Sequence, residues 1–555
     1  MKKSGFLEGT IIATFAIILT KILGMLYVIP FYAIVGVQGS ALYAYAYNIY
    51  VIFLDISSAG IPAAISKITK EYQTLGNEDA KQRAYKIGKS IIRFLSILAF
   101  VILFLFANQI ASLILGDLQG GNTIEEVGFV IRCVSLAILV IPFLSVTKGY
   151  LQGHNIIDVS STSQVIEQIV RIAVILGGSY LGLKVLNLSL TTSVGIAVSG
   201  AFIGGLAAML YILYKVTKHK KVLSFDEDIK KDNITNEQIK KKILSYAIPF
   251  IIIDVAVSIY SFVDMVFISR TMTFLGFDAS TTEFITTSVT TWSGKIGMVV
   301  NSIAMGLTVS LIPNIVGAYT LKKWGDVEEK LNKALQIILL TCIPMVLGIS
   351  LLSKPIWSIF YGTEALELGT LVLAIYIFIP LFFNLYMVTS STLQSLNKFK
   401  AVYVTTILGY ATNAILDVPL MLLFHACGYD AFIGACIASM LGYLVSVVTA
   451  LNYLKKEHQL KYQDTCKTLI KILIPSMLMV ISVIFLKKII PVNFEDKISC
   501  IIYTLIISLS GAIIYLTIAY KQGILNHVLG KDFIPKIKKK IRIKRSKKNG
   551  REEVK

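Results

Sequence analysis

Apolar stretches of about twenty residues recur along the whole chain, from Thr10–Tyr32 near its start to a run that ends at Tyr520. Wound as a helix, each is long enough to cross the ~30 Å hydrocarbon core of a bilayer. With 55% hydrophobic and 15% charged residues, a soluble chain of 555 residues would leave far too much apolar surface in water. The first run is too long for a signal-peptide core and is followed by no small-residue cleavage site, so it reads as a helix. The sequence predicts an all-α polytopic membrane protein of about 14 transmembrane helices. They fall near 10–34, 41–65, 89–107, 128–150, 161–183, 190–214, 243–269, 285–312, 334–353, 368–392, 401–424, 431–454, 472–488 and 498–520.

The longest polar run inside this greasy chain is Lys215–Lys242, with nine lysines. Six spans precede it and eight follow. The expected division is an N-terminal lobe at 1–214 and a basic cytoplasmic linker at 215–242. A C-terminal lobe follows at 243–454, then helices 13 and 14 within 455–520 and a basic cytoplasmic tail at 521–555. Two landmarks repeat across the linker. LQGHN (Leu151–Asn155) is echoed by LQSLN (Leu393–Asn397), each after an Ile-Pro, Ile141–Pro142 and Ile379–Pro380. The polar segment after helix two, ITKEYQTLGNEDAKQRAYKIGKS, likewise resembles IVGAYTLKKWGDVEEKLNKALQ after helix eight. Six spans plus six in one orientation imply parallel repeats about an axis along the membrane normal, with a working cleft between two lobes.

A net charge of +20 could suit nucleic acid, but most of the 53 lysines and arginines crowd into alternate loops. That bias is the positive-inside pattern, and it places both termini in the cytoplasm of a cell whose plasma membrane holds the chain. The tail KIKKKIRIKRSKK, from Lys536, is expected against anionic headgroups. It either fixes topology alone or also binds a lipid or partner. The six cysteines form no CxxC pair, so no disulfide frame or metal knuckle is indicated. No phosphate-binding loop or dinucleotide fingerprint is present. These features point to a transporter that is not an enzyme, has no nucleotide cofactor and has membrane lipids, not nucleic acid, as partners.

Charges within spans are costly and therefore informative. Lys21 sits mid-way along the first span and should face a wet cavity or pair with Asp55 of the second. Tyr43, Tyr47 and Tyr50 share one face of the second span, as an interfacial belt or as the wall of a sugar-binding cleft. Gly60 and Pro62 with Ser57 and Ser58 allow a bend, or simply close packing of small residues. Glu167 and Arg171 lie four apart on one face, to pair with each other or to present Arg171 to an anionic substrate. Lys148 stands at the inner end of the fourth span, and Lys295 lies within the eighth. Asp254 and Asp264 stand in the seventh span, and Asn413 and Asp417 one turn apart in the eleventh. Asp254, Asn413 and Asp417 offer oxygen ligands for a hard cation such as Na+, or else form a hydrogen-bonded helix contact. The five histidines are expected in loops or tails, mostly solvated and without a proton-relay role.

Twelve repeated spans plus two resemble the multidrug/oligosaccharidyl-lipid/polysaccharide exporter superfamily. The stretches TKILGMLYVIPFYAIVG and ALYAYAYNIYVIFLDISSAGIPAAISKITKEY are similar to one branch of it. That branch holds the stage V sporulation protein B type proteins and the MurJ-type lipid II flippases. The resemblance implies two six-helix lobes in a MATE-like arrangement that open alternately to each side. It also implies transfer of an undecaprenyl-pyrophosphate-linked cell-wall precursor between leaflets. Family cations for the pyrophosphate correspond to Lys21 within TKILG, and more loosely to Lys295. Tyr27 and Asp55 stand near places where the family carries basic residues. The family's sodium site corresponds to Asp254, Asn413 and Asp417, and its lipid-tail groove to spans thirteen and fourteen.

The expectation is therefore a flippase for a lipid-linked glycan, lipid II first. Lys21, Lys295, Arg171, Asp55, Tyr43 and Tyr47 would line the pyrophosphate and sugar site, and Na+ is the coupling ion considered. The alternative is export of another lipid-linked polysaccharide unit or a sporulation-specific precursor. A cation-coupled drug antiporter would want carboxylates to dominate both lobes, and a scaffold for cell-wall synthesis proteins would leave the buried charges unexplained. A monomer is expected, with cell-wall synthesis proteins as candidate partners.

Overall fold

The computed structural model describes residues 16, 19–58, 60–116, 118, 120–154, 156–218 and 233–530. The side chains of 249, 250, 252–254, 256, 257, 309, 310, 313, 314 and 320 are outside that description. The middle of the expected linker and the basic tail from Lys536 lie outside the described residues. Within them the chain is helical, without strands. Among the described residues eleven helical stretches are long and apolar enough to cross a membrane, and the first, Leu19–Leu75, takes in the second expected span and residues 19–34 of the first. Helices also stand at the expected seventh and eighth spans, Asn236–Phe274 and Ser293–Thr320. The chain is a multi-pass membrane protein.

Two compact units make up the chain. The first comprises residues 1–296, 360–364 and 406–439, and the second 297–359, 365–405 and 440–555. The first unit begins with α1 (residues 19–26) and α2 (Val28–Ser58). At Gly36 the backbone leaves helical geometry, with φ 67° and ψ −169°, a conformation open essentially to glycine. At the far end of α2 the hydroxyls of Ser57 and Ser58 both donate to the Leu54 carbonyl, at 2.9 and 2.7 Å. Gly60 then turns left-handed at φ 73°, and α3 (Ile61–Leu75) starts with Pro62 in its first turn. The bend read from Gly60 and Pro62 is present. Proline lacks the amide that would continue α2, and the serine hydroxyls bond back onto the last turn of that helix, which favours a bend there.

The unit continues with α4 (Glu78–Leu105), α5 (Ala107–Leu115), α6 (Ile124–Ser135), α7 (Ile141–Gly153), α8 (Ile157–Tyr180) and α9 (Leu190–Lys218). Beyond the linker come α10 (Asn236–Phe274), α11 (Ala279–Thr287), a π-helical turn at Ser288–Trp292 and α12 (Ser293–Thr320). Two glycine pairs spaced by four, Gly149 with Gly153 and Gly200 with Gly204, set how tightly these helices approach, as small residues do between helices in lipid. A Cβ at Gly149 of α7 would lie 2.3 Å from the Pro62 carbonyl oxygen of α3. One at Gly204 of α9 would lie 2.6 Å from the Glu167 carbonyl oxygen of α8, and one at Gly200 would lie 2.8 Å from that of Arg171. The close α3–α7 approach covers the end of α7. There His154 is 2% exposed and edge-on to Tyr150, with centroids 4.6 Å apart, and is not the solvated loop histidine expected.

The second unit is built from α13 (Trp324–Leu351), α15 (Leu366–Tyr376), α16 (Ile379–Ser395), α19 (Gln463–Ile489), α20 (Lys497–Lys521) and α21 (Ile524–Leu529). The unit boundary falls within α12, α14 (Ser353–Tyr361), α17 (Phe399–Ala426) and α18 (Phe432–His458). Leu339, Ile343, Met479, Val483, Tyr503 and Ile507 form its apolar core. The Tyr515 hydroxyl closes that core on the Leu340 carbonyl at 2.7 Å. A fully buried amide, Asn384 of α16, donates to the Val300 carbonyl at 3.0 Å. His458, also expected to be solvated, stacks on Trp324 at 3.7 Å.

Candidate substrate and cation sites

Within the first unit, α2 carries its tyrosines at helical spacing, so one face of the helix becomes a continuous aromatic wall. Tyr43 and Tyr47 stack with centroids 5.7 Å apart and planes 12° from parallel, and Tyr50 follows at 5.7 Å. Trp292, from the π-helical turn, lies 6.4 Å from Tyr43 at 30°. Tyr32 and Tyr361 meet Trp292 edge-on, and the Tyr361 hydroxyl donates to the Trp292 carbonyl at 2.6 Å. Tyr43 and Tyr50 are only 2% and 1% exposed, so the stripe is no belt at a water interface. The turn that positions Trp292 is held to α2 by Asn48, whose amide donates to Thr291 Oγ1 at 2.9 Å.

The π-helical turn also aims Lys295. Its ammonium lies 5.3 Å from the Tyr47 ring centroid and 5.9 Å from that of Tyr27, so the charge rests on two ring faces. The Tyr27 and Tyr43 hydroxyls are 3.5 Å apart, which joins the first helical segment to the wall. A second cationic group faces the same stripe from α8. Arg171 donates to Glu167 Oε1 at 2.6 Å, and Lys148 of α7 meets Glu167 Oε2 at 2.9 Å. One carboxylate thus serves two cations. The Arg171 guanidinium lies near enough to Tyr43, Tyr47 and Tyr50 for its charge to act on them, and its buried Nε–H has no acceptor among the described residues. The pairing of Glu167 with Arg171 was legible from their spacing. The share taken by Lys148 was not, because it needs the approach of α7 to α8.

Lys21 is half-buried on α1. One turn on, a Cβ at Gly24 would lie 3.3 Å from Gln168 Nε2, so α1 crosses α8 beside Glu167. Asp55 is half-buried and accepts a hydrogen bond from Ser258 of α10. The structure therefore groups Tyr43, Tyr47, Lys295 and Arg171 directly.

A second cluster in the same unit is acidic. Asn413 Nδ2 of α17 donates to Asp264 Oδ1 at 3.0 Å and to Asp417 Oδ1 at 3.3 Å. Ser439 of α18 donates to Asp264 Oδ2 at 2.9 Å, and Tyr260 donates to the Ser439 carbonyl at 2.6 Å. Asp264 and Asp417 are 7% and 0% exposed. Asp417 Oδ2 has no hydrogen-bond partner among the described residues. The expected acid from the seventh span, Asp254, has its side chain outside the described residues. Asp264 lies beside Asn413 and Asp417. The two aspartates are ten residues apart on one helix, and the sequence alone does not say which of them meets α17.

Bundled transmembrane helices with cationic, aromatic and acidic groups gathered inside them define the class of α-helical membrane transporters. Residues 6–276 match the family described as polysaccharide biosynthesis protein, and residues 249–418 match the MatE family. The lipid II flippase MurJ of Bacillus subtilis (strain 168) is 33% identical over 536 residues, covering 95% of this chain and 97% of that protein. Stage V sporulation protein B of the same organism is 23% identical, covering 74% of this chain and 76% of that protein. Among solved structures, an inward closed conformation of lipid II flippase MurJ has a TM-score of 0.68 at 19% identity, covering 94% of this chain and 99% of that one. An inward-facing multidrug resistance MATE transporter of the MOP superfamily has a TM-score of 0.59 at 16% identity, covering 79% and 96%. The chain belongs to the MurJ lipid II flippase family, and its fold is that of the MOP superfamily.

Proposed function

We propose that this protein moves lipid II, an undecaprenyl-pyrophosphate-linked cell-wall precursor, from the inner to the outer leaflet of a bacterial plasma membrane. The observation that carries the reading is the surplus of cations over acids beside an aromatic wall. Lys148 and Arg171 share one carboxylate, Glu167, and Lys295 rests on the tyrosine wall with no carboxylate in salt-bridge range among the described residues. A pyrophosphate attracts ammonium and guanidinium groups, and a guanidinium with a spare N–H can take a phosphate oxygen. Arg171 is such a group, and Lys295 can leave its tyrosine faces for an anion at little cost. Lys21 on the neighbouring helix would join them. Tyr43, Tyr47 and Trp292 then offer flat faces to sugar rings, with Asp55 at the far end of α2 as a hydroxyl acceptor. The prenyl chain stays in lipid along 472–488 and 498–520. A cationic-drug antiporter would want acids where this site has bases.

Residues 1–214 and 243–454 act as the two lobes of an alternating-access cycle, with both termini cytoplasmic and the chain a monomer. Cell-wall synthesis proteins are its natural neighbours. Sodium biases the cycle through Asp264, Asn413, Asp417 and Ser439. These offer only oxygen ligands once the Asn413 amide turns, and Asp417 Oδ2 is a buried acceptor without a partner. That donor set suits a hard cation. Two buried carboxyl groups that share the Asn413 amide can hold either a proton or a metal ion between them. A bound Na+ would supply the charge that lets both stay ionised.

The test is translocation of labelled lipid II in proteoliposomes holding the purified chain, read with a membrane-impermeant quencher, alongside Lys21→Ala. Movement by the native chain and its loss in folded Lys21→Ala are expected. Movement of a different undecaprenyl-pyrophosphate glycan, with lipid II left in place, would overturn lipid II as the cargo and favour the polysaccharide alternative.

A further inference from the structure

In the second unit, the turn between α18 and α19 holds a pocket of about 430 Å³. Lys455, Lys461 and Lys467 line it, with Leu460, Tyr462 and Cys466 as apolar floor. Nearby acids are committed elsewhere. Glu457 pairs with Lys398, Asp464 accepts from Gln336 at 2.7 Å and contacts His527, and Glu328 accepts the Lys461 backbone amide at 2.9 Å. None of the three lysines has a carboxylate in salt-bridge range among the described residues.

From this pocket one face of α19 runs on into the membrane. Ile470, Ile474, Met477 and Ile481 succeed Lys467 at spacings of three and four, and are 65%, 53%, 58% and 60% exposed. Lys471 adds a cation one turn above Lys467. Three unpaired ammonium groups at the foot of an exposed apolar stripe match one kind of ligand, an amphiphile with an anionic head and apolar chains. We infer that this pocket binds the phosphate headgroup of an anionic phospholipid of the inner leaflet, whose acyl chains lie along α19. The site is built from residues of the second unit alone, and because the cargo's prenyl chain is also assigned to α19, displacement by undecaprenyl pyrophosphate is the outcome that tells cargo from phospholipid.

Cys466 reports occupancy directly, because it lines the pocket and is exposed. In a full-length chain with Cys427→Ser and Cys133→Ser, labelling by a neutral maleimide is followed in nanodiscs. Phosphatidylcholine alone is compared with phosphatidylcholine containing phosphatidylglycerol. Phosphatidylglycerol should slow labelling, and added salt should relieve the protection. A cation at an anionic lipid surface contributes about a fivefold preference, so Lys455→Gln, Lys461→Gln and Lys467→Gln together should weaken protection roughly a hundredfold. The comparison of lipids on the lysine-bearing chain stands even if the triple variant folds poorly. Equal labelling in both lipids would overturn the inference. So would equal protection by inorganic phosphate, which would make this a free-phosphate site. Displacement of phosphatidylglycerol by undecaprenyl pyrophosphate would overturn it too, by making the pocket a docking place for cargo.

Discussion

The two polar clusters of the first unit solve opposite electrostatic problems. In the first, Glu167 is the counter-ion, a single carboxylate held at 2.6 Å by Arg171 and at 2.9 Å by Lys148. In the second, Asp264 and Asp417 crowd together with an amide and a hydroxyl but no base among their hydrogen-bond partners. The same chemical change, acid to amide, should therefore have opposite consequences. In the first cluster it strands two cations. In the second it removes one of two competing charges. A site that holds an anion and a site that holds a cation are distinguished by this sign more securely than by shape.

The largest effect is expected from Glu167→Gln. Breaking a buried ion pair by removing one partner costs about 3–5 kcal/mol, because the charge left behind stays buried without compensation. The unfolding temperature of the purified variant should drop sharply, and transport should be lost with it. A variant as stable as the native chain would mean that water reaches Arg171 and Lys148 freely.

Asp417→Asn should do the reverse in sodium-free buffer, leaving stability unchanged or raised. The native chain should gain about 2.7 kcal/mol when sodium is present at a hundred times its dissociation constant. The variant should gain nothing. Equal stabilisation of both proteins by sodium, or of neither, would remove the cation from this cluster.

How far these clusters were legible in the sequence follows from the distance over which each is assembled. The all-α membrane fold and the break at Gly60–Pro62 come from local pattern, since span length and proline chemistry act within a few residues. The Glu167–Arg171 pair is local too, one turn of one helix. Lys148, Trp292 and Ser439 join their clusters only through helix–helix approach, which no spacing in the sequence encodes. Which acids of a 39-residue helix meet Asn413 depends on its rotation and axial position, so the presence of Asp264 there follows from packing that the sequence does not encode. The aromatic wall was ambiguous for a related reason. A tyrosine stripe has the same spacing whether it faces headgroups or a bundle interior, and only burial separates the two.

A third test moves the first cluster without touching its charges. A Cβ at Gly204 would stand 2.6 Å from the Glu167 carbonyl oxygen and 3.1 Å from Arg171 Cβ. Gly204→Ala must push α8 and α9 apart, at a cost of about 1–3 kcal/mol from overpacking. Transport should fall further than this loss of stability explains, because the shift carries Arg171 away from the tyrosine wall. Sodium-induced stabilisation should survive, since none of the acidic cluster lies on α8 or α9. If it is lost as well, the two clusters are coupled through the helices of the unit.

The smallest structural effect, and the sharpest functional one, belongs to Lys295. Its ammonium rests on Tyr27 and Tyr47 rings at 5.9 and 5.3 Å, a contact of about 0.5–2 kcal/mol that Lys295→Gln gives up. The variant should therefore fold almost as stably as the native chain. If the lysine meets a phosphate oxygen in the cycle, a charge-assisted hydrogen bond of about 1.5–3 kcal/mol goes with it, and transport of a pyrophosphate-linked cargo should slow roughly tenfold to a hundredfold. Lys295→Arg keeps the charge and the ring contact and should retain most of the rate. Folded Lys295→Gln with native transport would leave Arg171 as the cation for the anion in this cluster. It would also reduce the tyrosine wall to a surface for sugars alone.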